Sequence, residues 1–167
     1  MTFNNAEAQN EIRKLFNDRF TDYCTNGFGD VPPLNLKKRG SNNVYVPKIF
    51  WQNIEKVDLS DSGEHWLRFY LTNVLKRQKS LTGGREQAVG THYNTRGMVK
   101  VELYFSKTAF QSVDIDRLNL IVERCFVQEN TNCGVWFRNA IIVDLNPEET
   151  HFRSNVLAEY EYDSVIN

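Results

Sequence analysis

HWLRFYL, from His65 to Leu71, and GMVKVELYF, from Gly97 to Phe105, are the two runs whose reading decides the fold. In the first, Leu67, Phe69 and Leu71 alternate with Trp66, Arg68 and Tyr70. In the second, Val99, Val101, Leu103 and Phe105 alternate with Lys100, Glu102 and Tyr104. A period of two, built from β-branched and aromatic residues, marks a half-buried strand. Two such strands in succession most simply pair antiparallel, because a parallel pair needs a covering crossover.

The connection between them, Thr72 to Gly97, is much longer than an ordinary hairpin loop, although the strands can run on into it. Lys76, Arg77, Lys79, Arg85 and Arg96 stand in it against Glu86, a net of +4 in a chain whose total is −1. Gly83-Gly84 marks the tip. The expectation is a long basic hairpin arm over residues 72–97, read either as a floppy solvated hairpin or as an arm that reaches a partner.

Working outward, Ala6 to Tyr23 reads as an amphipathic helix. Ala8, Ile12, Leu15, Phe16, Phe20 and Tyr23 share a face, Asn4 or Asn5 can cap it, and Asn26-Gly27 stops it. Gly27 to Asn43 is a loop with a short basic run, Lys37-Lys38-Arg39. Val44 to Asn53 reads as a strand that Pro47 confines to an edge or a bulge. After Phe105 the period changes from two to 3.6. Leu118, Ile121, Val122, Cys125 and Phe126 form the stripe of a second helix within Ser106 to Glu129, capped by Ser112 or Asp114. Val135 to Leu145 is a further strand in which Ile141, Val143 and Leu145 share a parity. Asn155 to Asp163 is the last strand. It has Val156, Ala158, Tyr160 and Tyr162 on one face and Leu157, Glu159, Glu161 and Asp163 on the other. Strands and helices do not alternate regularly, so the class is α+β: one mainly antiparallel sheet, both helices packed on it, in one domain spanning 1–167.

The totals agree with one core. A chain of 167 residues buries roughly 70% of its unfolded surface, and 41% hydrophobic with 25% charged residues is ordinary for a globular protein. A net charge of −1 gives no global pull toward nucleic acid or membrane. Cys24, Cys125 and Cys133 are odd in number and match no zinc or CxxC spacing, which fits a reducing compartment. No apolar run approaches the ~20 residues that span a bilayer, and the start, MTFNNAEAQNEIRK, lacks a signal-peptide pattern. Folding in a cytoplasm, with no membrane partner, is the expectation.

Motifs of catalysis do not appear. His65, His92 and His151 sit at no metal-ligand spacing, and GxSxG, Walker A and GxGxxG are absent. Asp114 and Asp116 fall at a helix start, where acids are expected anyway. Neither an enzyme nor a cofactor is expected. Tyr93 and Tyr104 near the basic segment could stack on bases, which keeps a nucleic-acid-binding module as a lesser alternative. Against it, the chain is slightly acidic overall and no helix has a basic recognition face.

The order of pieces is similar to that of a known family. An opening helix, AEAQNEIRKLFNDRF, is followed by a strand ending Phe50-Trp51-Gln52-Asn53. After a polar turn come Trp66-Leu67-Arg68-Phe69, a glycine-containing loop, Arg96-Gly97 and the strand Met98 to Phe105. The helix with Leu118, Ile121, Val122 and Phe126 follows, then a closing strand from Asn155-Val156 to Tyr160-Glu161-Tyr162. From Ala6 to Asp163 this resembles the tail terminator (tail completion) proteins of long-tailed bacteriophages, which read W-[IL]-R-[FV] and then G-x-[VL]-x-[VL]-x-[VIL]-[FY]. It departs from them at SKTAFQSVDID, where relatives often have a Gly-rich turn.

The resemblance implies a structural virion protein, assembled in the host cytoplasm. It would form a homohexameric ring on the head-proximal end of the tail tube. Such a ring ends tube polymerisation and offers a surface for the head. The implied partners are further copies of itself, the tail tube protein and a head-completion or neck protein, with genomic DNA only passing through the lumen. Another head–tail neck protein is the alternative within the same class. Candidate assembly contacts are Lys76, Arg77, Lys79, Arg85 and Arg96 on the arm, Trp66 and Tyr70 on the second face of their strand, and Glu159, Glu161 and Asp163 as an acidic face; the arm would extend either to the tube end or to this acidic face on a neighbour.

Overall fold

The computed structural model describes residues 5–37, 40–52, 63–80, 91–108, 112–126 and 134–166. Their elements run α1 (Asn5–Asn26), β1 (Lys48–Trp51), β2 (Trp66–Ser80), β3 (Thr91–Ser106), α2 (Ser112–Arg124), β4 (Trp136–Leu145) and β5 (His151–Ile166). The strands form one sheet in the order β1-β2-β3-β5-β4. All neighbours are antiparallel except β1 and β2. The α+β class, with one mostly antiparallel sheet and two helices, is the observed architecture.

Both helices lie on the same face. Ala8, Ile12, Phe16, Phe20 and Cys24 recur every four residues along α1 and are all buried. They share one cluster with Leu118, Ile121 and Val122 of α2 and with the odd-numbered residues Leu67, Phe69, Leu71, Val99, Val101, Leu103 and Phe105 of the central pair. Val156, Ala158, Tyr160 and Tyr162 complete the floor from β5. Phe16 sits at the centre, its ring 4.9 Å from Phe69, 5.3 Å from Phe126 and 5.5 Å from Phe20. Full burial of side chains this size supplies roughly 2–3 kcal/mol each before the entropy of ordering is subtracted.

Several boundaries differ from the sequence reading; β5, for one, starts at His151 rather than Asn155. The first helix runs one turn past Tyr23, because Thr25 and Asn26 bond back to Thr21 and Asp22. It stops at Gly27, whose φ of 80° and N–H bond to the Tyr23 carbonyl form the C-terminal cap. β1 is four residues long, not ten. Pro47 precedes it, and Val44 makes only an isolated bridge to Lys37. It is an edge strand, as Pro47 requires, but it runs parallel to β2, which the long connection over residues 52–65 permits. α2 ends at Arg124, short of the expected Glu129; Cys125 and Phe126 follow in a turn and keep their place in the core.

A further difference is the arm. Its shanks are strand, with β2 continuing to Ser80 and β3 starting at Thr91, through bulges at Asn73/Leu75 and Gln78/Ser80. It is no free-standing hairpin. β5 runs beyond Asp163 to Ile166 and pairs with β3 along its whole length, Thr91 opposite Ile166 and Ser106 opposite His151. The arm is therefore the far end of a three-stranded ribbon. Its tip, with Gly83-Gly84 and Arg85, lies outside the described residues.

Candidate assembly surface

With both helices on one side, the second face of the sheet is built from the opposite parity. Across the near end it presents Phe50 of β1, Trp66, Arg68 and Tyr70 of β2, Lys100, Glu102 and Tyr104 of β3, and Arg153 of β5. These side chains interlock. The Trp66 and Tyr104 rings stack at 3.8 Å and 5°. Phe50 meets Trp66 edge-on at 5.5 Å. Arg68 lies over Trp66, Lys100 over Tyr70 and Arg153 over Tyr104. Each cation thus rests on the electron-rich face of a ring.

Glu102 anchors this layer. Its carboxylate accepts from the Tyr70 and Tyr104 hydroxyls at 3.2 and 3.1 Å and pairs with Lys100 at 2.7 Å. Burial pushes its pKa up. The Lys100 bond and charge, with the two hydroxyls, outweigh burial and hold the group below its ordinary value. Tyr104 is pushed up to about 12, first by burial and then by the Glu102 charge. The bonds to Glu102 are charge-assisted and worth more than neutral ones; in the same layer the Trp66 Nε1 and Arg153 Nε groups are buried without a hydrogen-bond partner.

At the far end a second cluster surrounds Glu161. Arg96 reaches it at 3.1 Å, Arg138 at 3.6 Å and the Asn94 amide at 2.7 Å. The Asn94 amide also donates to Asp163, and the Asn139 amide to Glu159. A cleft of about 280 Å³ opens beside them, lined by Val74, Leu75, Met98 and Tyr160 together with these charged groups.

The expected contact residues separate on this frame. Trp66 and Tyr70 belong to the near layer. Arg96 sits directly opposite Glu161 in the β3–β5 ladder, so this basic–acidic pair forms within one chain. The expectation that the β5 acids wait as a set for a neighbour's arm is corrected at that pair: adjacent strands satisfy it first, and Glu161 is buried. Glu159 and Asp163 remain solvent-accessible beside it. Lys76 and Arg77 are exposed on the ribbon, the Lys76 ammonium 4.5 Å above the Tyr93 ring. Lys79 stands on β2 with its side chain outside the description, and Arg85 lies outside the described residues.

Sequence reading missed the edge. Ile141, Ile142 and Val143 of β4 are 51%, 40% and 36% exposed, on both sides of an edge strand. The sequence reading groups Ile141, Val143 and Leu145 by parity and assigns that parity to neither core nor solvent. The usable signal was the unbroken run Ala140-Ile141-Ile142-Val143, which has no polar partner face. A bulge at Asn139 (φ 51°) and a register shift between Arg138 and Ile141 precede it.

No group of three or more His, Cys, Asp and Glu is placed to hold a metal among the described residues. No described helix is long and apolar enough to cross a membrane. No family model matches the chain, and no curated protein does. One solved protein structure superposes on 92% of this chain and 94% of its own with a TM-score of 0.55. At 16% identity that likeness establishes a shared fold and nothing further.

Proposed function

We propose that this protein is a structural assembly subunit of a long-tailed bacteriophage virion. In this reading it is a tail-terminator-like protein that closes into a homohexameric ring at the head-proximal end of the tail tube. The ring halts tube growth and presents a surface to the head-completion or neck protein. The observation that carries the reading is a surface one. Helices cover one face of the sheet, and the aliphatic edge of β4 is left to solvent, where a subunit contact would bury it. Closed rings use heterologous contacts, in which one patch meets a different patch on the next copy. The resemblance in the order Trp66-Leu67-Arg68-Phe69, Arg96-Gly97 and Met98 to Phe105 gives the virion setting.

The arm has a place in this reading. Lys76 and Arg77 project from the ribbon end, and a cationic projection suits an acidic tube end or neck surface. Native mass spectrometry with negative-stain imaging of the purified protein tests the ring. Six-fold rings are expected, either free or after addition of tail tubes. Tubes left bare at both ends would overturn the terminator reading. Charge reversal at Lys76, Arg77 and Lys79 is expected to abolish capping, and unchanged capping would remove the arm from the interface.

A further inference from the structure

The two edges of the sheet are complementary to each other. Tracing directions through the ladders, β1 runs with β2 and β5, and β4 runs against them. Rotating a copy about an axis roughly along the strands keeps the sheet faces aligned. It brings β1 of that copy alongside β4 of the first, antiparallel. The side-chain faces then restrict the register. On β4, Ile141 and Val143 share the face of Leu157 and Asn155, while Ile142 shares that of Val156. On β1, Lys48 and Phe50 share the face of Trp66 and Arg68, while Ile49 shares that of Leu67. A continuous sheet must place like face beside like.

One register meets this condition and also matches the ends of both segments. It sets Ala140 opposite Trp51, Ile141 opposite Phe50, Ile142 opposite Ile49 and Val143 opposite Lys48. The bulged Asn139 then falls at Gln52, where β1 has ended, and Asp144 falls at Pro47, which has no N–H to give. The aliphatic run on β4 is as long as β1, and both are bounded at the same places. The Ala140–Val143 run of β4, which holds no lysine or proline, is an apolar edge that soluble proteins normally avoid unless it is covered; β1 itself carries Lys48 and follows Pro47.

We propose that β4 of one copy and β1 of the next pair antiparallel in this register, so that the ring is held by a sheet running from subunit to subunit. The inference rests on the ring reading for its setting, and its test is separate. Lys48 and Val143 are both exposed, so Lys48→Cys and Val143→Cys disturb little of the core. They lie on opposite edges of one sheet with three strands between them, so no disulfide can join them within a chain. The double variant is made in a Cys133→Ser background, since Cys24 and Cys125 are buried. Oxidation at millimolar protein is expected to yield a reducible ladder of covalent multimers, with each single variant staying monomeric.

A dimer from Val143→Cys alone would mean two β4 strands pair with each other, which overturns the proposal. Absence of the ladder also overturns it. If native mass spectrometry still finds rings in that case, the ring reading stands and only the edge assignment fails. A ladder from a protein that never caps tubes would leave the edge pairing and refute the terminator. Ile142→Lys, a charge on the exposed edge, is expected to keep a native circular-dichroism spectrum and lose self-association at least tenfold; unchanged association would count against the paired edge.

Discussion

The Trp66 indole lies flat on the Tyr104 phenol, centroids 3.8 Å apart and planes 5° from parallel, with Arg153 on Tyr104 and Arg68 on Trp66. The two residues are direct cross-strand partners on β2 and β3. A stacked aromatic pair contributes about 0.5–1.5 kcal/mol beyond its buried area. Trp66→Ala and Tyr104→Ala, singly and together, are expected to show a coupling energy in that range by urea unfolding. Additivity would mean that the stack adds nothing to simple burial.

Glu161 joins β3, β4 and β5 at the far end, through Asn94, Arg96 and Arg138. Both arginine side chains are about half exposed, so they can turn to water when the carboxylate goes, and an exposed pair contributes little. Asn94 is buried and loses an acceptor. Glu161→Ala is therefore expected to cost about 1–2 kcal/mol, mostly through the lost amide bond. Asn94→Ala in the Glu161→Ala background should then add little. A full second penalty would place the worth of Asn94 elsewhere.

Gly97 faces the core at the point where Tyr160 crosses toward β2. A methyl group there would collide with the Tyr160 ring and the Thr72 carbonyl oxygen. The Tyr160 hydroxyl is also held, donating to Asn73. The Thr72 oxygen belongs to the backbone of the paired strand and cannot swing aside, so Gly97→Ala is expected to destabilise by about 1–3 kcal/mol, as overpacking does. Thermal unfolding measures it, and a variant as stable as the parent would show that the ribbon yields at this point.

His65 is buried, and its Nδ1 accepts from the Ser106 N–H at 3.0 Å. Burial, with the nearby His151 adding to it, lowers the His65 pKa to about 4. The folded state thus favours the neutral ring, and the unfolded chain binds the extra proton between about pH 6.5 and 4. Stability is expected to be full above pH 6.5 and to fall by on the order of 3 kcal/mol as pH drops to 4. His65→Asn keeps an acceptor for Ser106 and cannot take up the proton. It should flatten that slope, and an unchanged slope would assign the acid sensitivity to other groups.

Much of the fold was legible because the signals are local. Leu67, Phe69 and Leu71 alternate as a strand must, and Ala8, Ile12, Phe16 and Phe20 repeat as a helix must. Gly27 stopped α1 where a left-handed residue was needed. The shanks of the arm were harder. Lys76-Arg77-Gln78 looks like loop, and it is strand only because the ladder from Leu75 onward and the full length of β5 support it.

The candidate surface was legible in part. Trp66 and Tyr70 stood out by their parity, but Glu102, Lys100 and Arg153 join them only through cross-strand neighbours. Arg96 and Glu161 are far apart in sequence, and no pattern in either segment says that they meet.

By itself the sequence determined the class, the two helices and the face of each central strand that enters the core. Those follow from periodicity, which is a property of neighbouring residues. The tertiary structure decided which strands lie at the edges, that β1 runs parallel, and that Ile141, Ile142 and Val143 are left to solvent. Strand order depends on pairings between distant segments, and apolar residues carry no local mark of whether a helix, a strand or another molecule will cover them.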